Sequence, residues 1–452
     1  MTNTQGAFGP RQPGARRGGK LALIAVALSL AACAQLPQSG AGSAPSLMPT
    51  ANAADAGMSD QRLEMLTAAF NKEIADKALP GAVIMVARKG QLVYAKAFGV
   101  LDPTKPDAMA ADSIFRIYSM TKPMASVGAM ILVEEGRLQL SDPVAKHLPA
   151  FKDLKVYTGT GTGTGTEPAR PMTVQDLLRH TSGLGYGELS NNAAYKEALT
   201  QAGLYKPGTI DFDTRDLSPA EQVTRLATVP LLRQPGTAWE YSLSTDVLGR
   251  VIEAVSGQRL GDFMADRIFK PLGMKDTAFH VPEAKASRLA ASFDKDPATG
   301  VAFKLIDVSK QPGNDSGGAG TVSTAADFLR FSQMMLNGGT LDGQRILSRN
   351  TVRWMTSDHL GPRIPIAQSP GGNVLYPSQY SFGLGLAVRP TDGQAPTPGS
   401  AGDYNWGGYA GTAFWVDPKE QIVGVMMMQS PGAMRNYHRN LLRQLVYQAI
   451  SD

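Results

Sequence analysis

The stretches of this chain that favour β-strand lie near its two ends, and those that favour helix lie between them. Residues 82–88 and 92–98 are apolar or alternating runs on either side of a Lys-Gly pair, so they predict a β-hairpin. Further strand-like runs occur at residues 381–388, 412–416 and 422–428. Because strands need partners, we expect both chain ends to contribute to one antiparallel sheet. This predicts an α+β fold in which helices flank the sheet and a mostly helical region is inserted between its halves.

Capped segments with an apolar face predict the helices. A serine at position 59 caps a helix that extends to about residue 77, and a C-terminal helix over residues 434–450 carries its leucines on one side. The helices of the middle region are expected near residues 122–135, 173–180, 245–256 and 324–337.

The first 32 residues have the layout of a secretory signal peptide: four basic residues and no acid, then an apolar run over residues 21–32. A membrane-spanning helix is the alternative, but this run would cover only about 18 Å of a ~30 Å hydrocarbon core. The remaining chain holds 40 basic and 39 acidic residues. Since the net charge of +5 therefore belongs mostly to the signal segment, we expect no nucleic-acid partner.

The only cysteine, Cys33, follows Leu-Ala-Ala and resembles the lipobox of bacterial lipoproteins, whose cysteine is acylated. The alanine after it resembles the outer-membrane sorting pattern. On this resemblance we expect an exported bacterial protein on the periplasmic side, held to the outer membrane by an N-terminal lipid anchor at Cys33. Cleavage without lipidation is the alternative. Residues 33–57 contain almost no large apolar side chains and predict a flexible tether, so the folded domain is expected over residues 58–452.

The composition gives no indication of a metal or cofactor site. One cysteine cannot form an intramolecular disulfide or a zinc site with two thiolates, and the five histidines form no His-Glu-x-x-His pair. We therefore expect no metal and no cofactor. Nothing in the sequence indicates an oligomeric state.

Residues 119–122, Ser-Met-Thr-Lys, bring a nucleophile and a base together. A serine hydroxyl is barely ionised at neutral pH and needs a base within hydrogen-bond reach. Positions three apart share one face of a helix, so Lys122 can point at the Ser119 oxygen. Pro123 fits only the first helical turn, which places Ser119 at a helix N-terminus. There an exposed amide and the helix dipole favour a developing oxyanion.

This motif by itself is weak, because residues 292–295 repeat the Ser-x-x-Lys pattern in a polar stretch with no helix signal. A capping serine followed by a solvated lysine would look the same at residues 119–122.

Three motifs together resemble those of serine β-lactamase-like esterases, the family VIII carboxylesterases related to class C β-lactamases and D,D-peptidases. The motifs and two supporting strings are Ser-Met-Thr-Lys-Pro at 119–123, Tyr-Ser-Leu at 241–243, Trp-Gly-Gly at 406–408, Leu-Leu-Arg-His-Thr-Ser-Gly-Leu at 177–184 and Gly-Gly-Ala-Gly-Thr-Val-Ser-Thr at 317–324. The resemblance extends over roughly residues 59–450. It implies the fold of β-lactamases and penicillin-binding proteins.

The resemblance also implies roles for the reactive side chains. Ser119 would be the acylated nucleophile, and Lys122 its general base or proton relay. Tyr241 would be the base that activates Ser119 or the deacylating water. His180 is not the catalytic group of its string and is interpreted as structural.

By the same resemblance, Trp406, Gly407 and Gly408 form the strand that lines the site. The backbone amide of Tyr409 would join that of Ser119 as the oxyanion hole. Two glycines suit such a strand, because substrate must approach the backbone closely there.

The departures from the relatives' patterns indicate the reaction. Class C β-lactamases and D,D-peptidases usually have Asn where this chain has Leu243, and Lys-Thr-Gly at residues 406–408. The cation that would attract a substrate carboxylate is gone from this position. We therefore expect a serine hydrolase acting through an acyl-enzyme, a carboxylesterase for small-molecule esters with short acyl groups. The alternatives are a β-lactamase, a D,D-peptidase or amide hydrolase, and a non-catalytic penicillin-binding-like protein.

Overall fold

The computed structural model describes Gly9 and residues 48–158, 165–208, 214–375 and 379–452. The predicted signal peptide, apart from Gly9, and Cys33 lie outside the described residues. Residues Ala44–Asp452 make up one structural unit. Within the described ranges, no helix combines the length and apolar character needed to cross a bilayer.

Both secondary-structure types occur in many short elements. The α-helices of the described residues are α1 Asp60–Ala75, α2 Thr121–Glu134, α3 Val144–His147, α4 Val174–Leu178, α5 Ala193–Gln201, α6 Pro219–Ala227, α7 Ser244–Ser256, α8 Leu260–Met264, α9 Ala325–Leu336, α10 Arg349–Met355 and α11 Arg435–Tyr447. The strands are β1 Gly81–Arg88, β2 Gln91–Gly99, β3 Phe115–Arg116, β4 Lys155–Tyr157, β5 Thr166–Pro168, β6 Val322–Ser323, β7 Thr340–Leu341, β8 Gln344–Arg345, β9 Ser381–Phe382, β10 Ala387–Val388, β11 Tyr404–Gly407, β12 Ala413–Asp417 and β13 Ile422–Met428.

The main sheet has seven strands in the order β2-β1-β13-β12-β11-β10-β9, and every pair is antiparallel. The two chain ends meet where β1 pairs with β13, with Val83 opposite Met427. This confirms the predicted α+β fold and the sheet built from both chain ends. The predicted hairpin is the β1–β2 pair, and the predicted first and last helices are α1 and α11.

The sheet is covered by helices on both faces. On one face, Leu66 and Phe70 of α1 pack with Leu442 and Val446 of α11. The larger core on the other face contains α2, which is buried at every position from Thr121 to Leu132. An all-round buried helix is held rigidly, because its neighbours are close-packed on every side. Ser119 and Lys122 are therefore positioned by one of the most constrained elements of the fold.

The single strand predicted over residues 381–388 is divided into β9 and β10. Gly383 donates a backbone hydrogen bond to Leu386 at 2.8 Å, so the chain doubles back and the two short strands pair with each other. Gly385 has a φ of 91° at this turn, and a Cβ there would lie 2.1 Å from Ser126 Oγ of α2. The alternation of the sequence did not reveal the turn, because its cause is a close approach to a distant helix.

The predicted tether extends too far toward the domain. Met48 is buried, Thr50 forms a β-bridge with Leu92, and residues Ala53–Ala56 form a 3₁₀ turn. The Arg88 guanidinium donates to the carbonyl oxygens of Ala56 and Gly57, at 3.1 and 2.6 Å. These small residues are ordered by partners on β1 and β2, which their own composition could not reveal.

Candidate active site

Ser119 lies in a strained turn that leads into α2. The 3₁₀ turn Tyr118–Met120 precedes the helix, and Tyr118 has a φ of 45°, a left-handed conformation that is unfavourable for a bulky residue. The surrounding structure holds it there, because the Tyr118 hydroxyl accepts a hydrogen bond from the Ile306 amide at 3.0 Å. Such strain is found at functional sites more often than elsewhere.

Lys122 is fully buried and its Nζ has three hydrogen-bond partners. Nζ donates to Ser119 Oγ at 3.3 Å, to the Tyr186 hydroxyl at 3.1 Å and to the Gly318 carbonyl at 2.8 Å. Nζ also lies 4.5 Å from the centre of the Tyr241 ring. These three hydrogen bonds fix Lys122 beside the serine.

Tyr241 reaches the same oxygen from the segment before α7. Its hydroxyl donates a short hydrogen bond to Ser119 Oγ. Ring contacts hold it in place, with centroid distances of 5.1 Å to His180, 5.2 Å to Tyr186 and 5.4 Å to Trp406. Ser119, Lys122 and Tyr241 thus meet, although Tyr241 is distant in sequence. This is the hydrogen-bond arrangement that an activated serine requires.

The duplicate Ser-x-x-Lys copy has a different environment. Ser292 lies in an irregular loop, and Lys295 is exposed to solvent. A lysine that acts as a base depends on burial or on charged neighbours, and Lys295 is not buried. Burial, which the motif itself does not encode, distinguishes the two copies.

His180 lies behind Tyr241 and is fully buried. Its Nδ1 is 3.1 Å from Ser242 Oγ. Burial, together with the charge of Lys122, holds the pKa of His180 well below its usual value, so the ring is neutral. The neutral His180 ring points its Nδ1 at Ser242 and packs against the Tyr241 ring, so it helps to hold Tyr241 in place.

Asp246, in the first turn of α7, is a buried carboxylate that the motifs did not point to. It accepts from Ser316 Oγ at 2.5 Å and from the Gly318 amide at 3.3 Å, and Gly318 binds Lys122 through its carbonyl. Burial raises the pKa of Asp246, and the positive charge of Lys122 opposes that shift. A Cβ at residue 318 would lie 2.2 Å from Asp246 Oδ2, which explains a glycine in the string 317–324.

Tyr186 is a second residue that sequence reasoning missed. It lies in a Gly-Tyr-Gly sequence shortly after the string 177–184, and only its hydrogen bond to Lys122 gives it significance. Neither spacing nor residue type distinguishes it from a core tyrosine, since 64 residues separate it from Lys122. Only the tertiary contact with Lys122 identifies Tyr186 as a residue of the site.

Replacing Tyr186 with Phe is expected to lower kcat about tenfold, the effect of losing one buried hydrogen bond to Lys122. The ring would remain in place against Tyr241, so KM should change little. Steady-state kinetics of the purified variant measure both. Tyr94→Phe is the control, because the Tyr94 hydroxyl pairs with Thr67 on the opposite face of the sheet. Equal rates for wild type and Tyr186→Phe would show that Lys122 does not need this contact.

β11 presents Trp406 to the site and Gly407 to the opposite face. The Trp406 ring meets the rings of Tyr241 and Phe382, at 5.4 and 5.3 Å. A Cβ at Gly407 would lie 2.7 Å from the Arg439 guanidinium, and one at Gly408 would lie 2.3 Å from the Ile117 carbonyl. The reason for the two glycines therefore differs from the expected one. Protein atoms, not substrate, occupy the space where their side chains would be.

The turn after β11 lies against the nucleophile segment. Gly408 donates to the Thr412 carbonyl at 2.8 Å, and Thr412 Oγ1 donates to the Ile117 carbonyl at 3.3 Å. The Tyr409 ring packs edge-on against the Tyr118 ring at 5.4 Å. Within the described part of the chain, the Tyr409 amide donates to no other protein group. An amide left free beside a nucleophile is suited to bind an oxyanion.

The fold and these side chains define a serine hydrolase of a known family. The family model described as Beta-lactamase matches residues 66–448, so the chain belongs to the Beta-lactamase family. Esterase EstB of Burkholderia gladioli is 32% identical over 394 residues, which cover 83% of this chain and 91% of EstB. Protein Rv1367c of Mycobacterium tuberculosis is 33% identical over 370 residues, 79% of this chain and 88% of that protein.

Similarity to a solved structure supports the same assignment to the family. The protein described as EstCE1, a hydrolase with promiscuous acyltransferase activity, superimposes with a TM-score of 0.71 at 27% identity. The match covers 86% of this chain and 99% of EstCE1. The predicted resemblance to family VIII esterases and the β-lactamase-like fold are thereby confirmed.

Proposed function

We propose that this serine hydrolase is a carboxylesterase that cleaves small esters with short acyl groups through an acyl-enzyme on Ser119. The observation that carries the proposal is the double contact of Ser119 Oγ, with the Tyr241 hydroxyl on one side and Lys122 Nζ on the other. Such contacts supply a route for the serine proton without a histidine or a metal ligand at the serine.

The proposed reaction proceeds in two steps. The first step starts from a pair that can accept one proton, with Lys122 as the free amine or Tyr241 as the phenolate. Ser119 Oγ then attacks the ester carbonyl while its proton passes to this Tyr241–Lys122 pair, and the amides of Ser119 and Tyr409 bind the oxyanion. When the tetrahedral intermediate collapses, the same pair returns the proton to the departing alcohol. Water then attacks the acyl-enzyme and gives its proton to the pair. When this second intermediate collapses, the pair returns that proton to Ser119 Oγ, and the carboxylic acid leaves.

The walls of the site support an ester rather than a β-lactam. Leu243 is buried where class C relatives usually have an amide side chain, and Trp406 stands where they have the lysine of the third motif. Aromatic rings surround the Tyr241 ring. An apolar surface of this kind suits an uncharged acyl group, since a carboxylate buried against it would lose hydration.

Two measurements test the proposal. The purified protein should hydrolyse p-nitrophenyl butyrate much faster than a chromogenic cephalosporin, and a fluorophosphonate probe should label it covalently. Ser119→Ala should abolish labelling, whereas the matched control Ser292→Ala should label normally. Faster turnover of the cephalosporin would favour a β-lactamase, and labelling that persists in Ser119→Ala would mean that another residue is the nucleophile.

We also propose that the protein is exported and anchored by lipid at Cys33, with residues 1–32 removed and the domain over 58–452 on the periplasmic side of the outer membrane. The support is the arrangement of basic, apolar and small residues before the cysteine. Mass spectrometry of the mature protein should find a lipid-modified N-terminal Cys33. An unmodified N-terminus at residue 34 would contradict the anchor.

A further inference from the structure

Arg439, in the second turn of α11, binds the turn that follows β11. Nη2 donates to the carbonyl oxygens of Gly408 and Thr412, at 2.5 and 3.0 Å, and Nε donates to the carbonyl of Gly411 at 3.3 Å. The remaining contact, from Nη1, goes to Asn436 Oδ1 at 3.0 Å. The Arg439 guanidinium thus binds three backbone carbonyls of the segment that contains Tyr409.

The positive charge of Arg439 is not matched by a carboxylate. Among the described residues, no acidic side chain lies within ion-pair distance of it, whereas Arg443, one turn later, pairs with Asp403. Burial lowers the pKa of Arg439 to about 9, helped by the nearby charge of Arg435, so it stays cationic at neutral pH. A cation near a helix N-terminus is also opposed by the helix dipole. If Arg439 had only a structural role, an acidic partner would lower the free-energy cost of burying its charge.

The bond to Gly408 acts on the Tyr409 amide directly, because the Gly408 carbonyl and the Tyr409 N–H belong to the same peptide group. A charged donor on the carbonyl withdraws electron density from that group, so its N–H becomes a stronger donor. We infer that Arg439 is a positioning residue that orients and polarises the Gly408–Tyr409 peptide, and so strengthens the Tyr409 amide toward the oxyanion. The inference rests on the proposed esterase function.

The strand and the nucleophile segment enclose the Gly408–Tyr409 peptide from two sides. Gly407 has no side chain, and a Cβ there would lie 2.7 Å from the Arg439 guanidinium, so the strand leaves room for this group. On the opposite side, a Cβ at Gly408 would meet the Ile117 carbonyl, two residues before Ser119. The peptide is therefore held between the arginine and the nucleophile segment.

The test compares an ordinary ester with its thionoester, in which sulfur replaces the carbonyl oxygen and accepts hydrogen bonds poorly. For Arg439→Met we expect kcat/KM for p-nitrophenyl butyrate to fall by about 10- to 100-fold, less than the loss of an entire oxyanion donor. The thionoester should be affected less than about threefold, because it makes little use of the amide. Arg439→Lys, which retains a charged donor, should recover most of the rate.

Controls separate this role from a structural one. Asn440→Ala alters an exposed residue of the same helix and should leave both rates unchanged. Thermal unfolding of each variant reports on the fold. If Arg439→Met slowed both esters by the same factor, or slowed neither, the polarising role would be refuted. Failure of the proposed function is distinct: the wild-type protein would then not hydrolyse the ordinary ester, or Ser119→Ala would retain its activity.

Discussion

Replacing Lys122 with Met is expected to lower kcat for ester hydrolysis by about 10⁴-fold, the upper range for general acid–base catalysis. Methionine fills nearly the same volume but cannot accept or donate the serine proton. It also cannot bind the Gly318 carbonyl or the Tyr186 hydroxyl, which Lys122 contacts at 2.8 and 3.1 Å. Steady-state kinetics with p-nitrophenyl butyrate measure the change.

The control for Lys122→Met is Lys295→Met, at the exposed lysine of the second Ser-x-x-Lys copy, which should retain full activity. Thermal unfolding shows whether the loss of the buried ammonium disturbs the fold. A well-folded Lys122→Met variant with near-normal kcat would exclude the lysine from proton transfer. Tyr241 alone would then be the base.

Replacing Tyr241 with Phe is expected to lower kcat by about 10³-fold, because the hydroxyl that contacts Ser119 Oγ is lost. The ring contacts with His180 and Trp406 would survive, so KM should change little. The double variant Tyr241→Phe/Lys122→Met should lower kcat by a factor far smaller than the product of the factors for the two single variants. The reason is that both residues take part in the same proton transfer.

A matched control for Tyr241→Phe is available on β11. Tyr404 is also buried, and its hydroxyl has no hydrogen-bond partner in the described residues. Tyr404→Phe therefore removes an identical group without breaking a bond and should be neutral for kcat. If Tyr241→Phe were as active as Tyr404→Phe, the short contact to Ser119 would have no catalytic role.

Much of the fold was predictable because it follows local pattern. The runs at residues 82–88 and 92–98 became β1 and β2, and the serine cap at residue 59 does accept the Arg62 amide. Predictions differed from the structure where a distant partner dominates. Residues 381–388 turn back beside Ser126 of α2, and residues 48–57 are ordered against β1 and β2.

The sequence by itself determined the class of fold and the pairing of Ser119 with Lys122, because strand and helix periodicity are local properties of the chain. The predicted role of Tyr241 came from the resemblance of the three motifs to a known family. Only the tertiary structure decided which Ser-x-x-Lys copy has a buried lysine, since burial depends on what packs around it. It alone brought Tyr186, Asp246 and Arg439 to the site. Their contacts join residues that are far apart in the sequence, and such contacts exist only after the chain has folded.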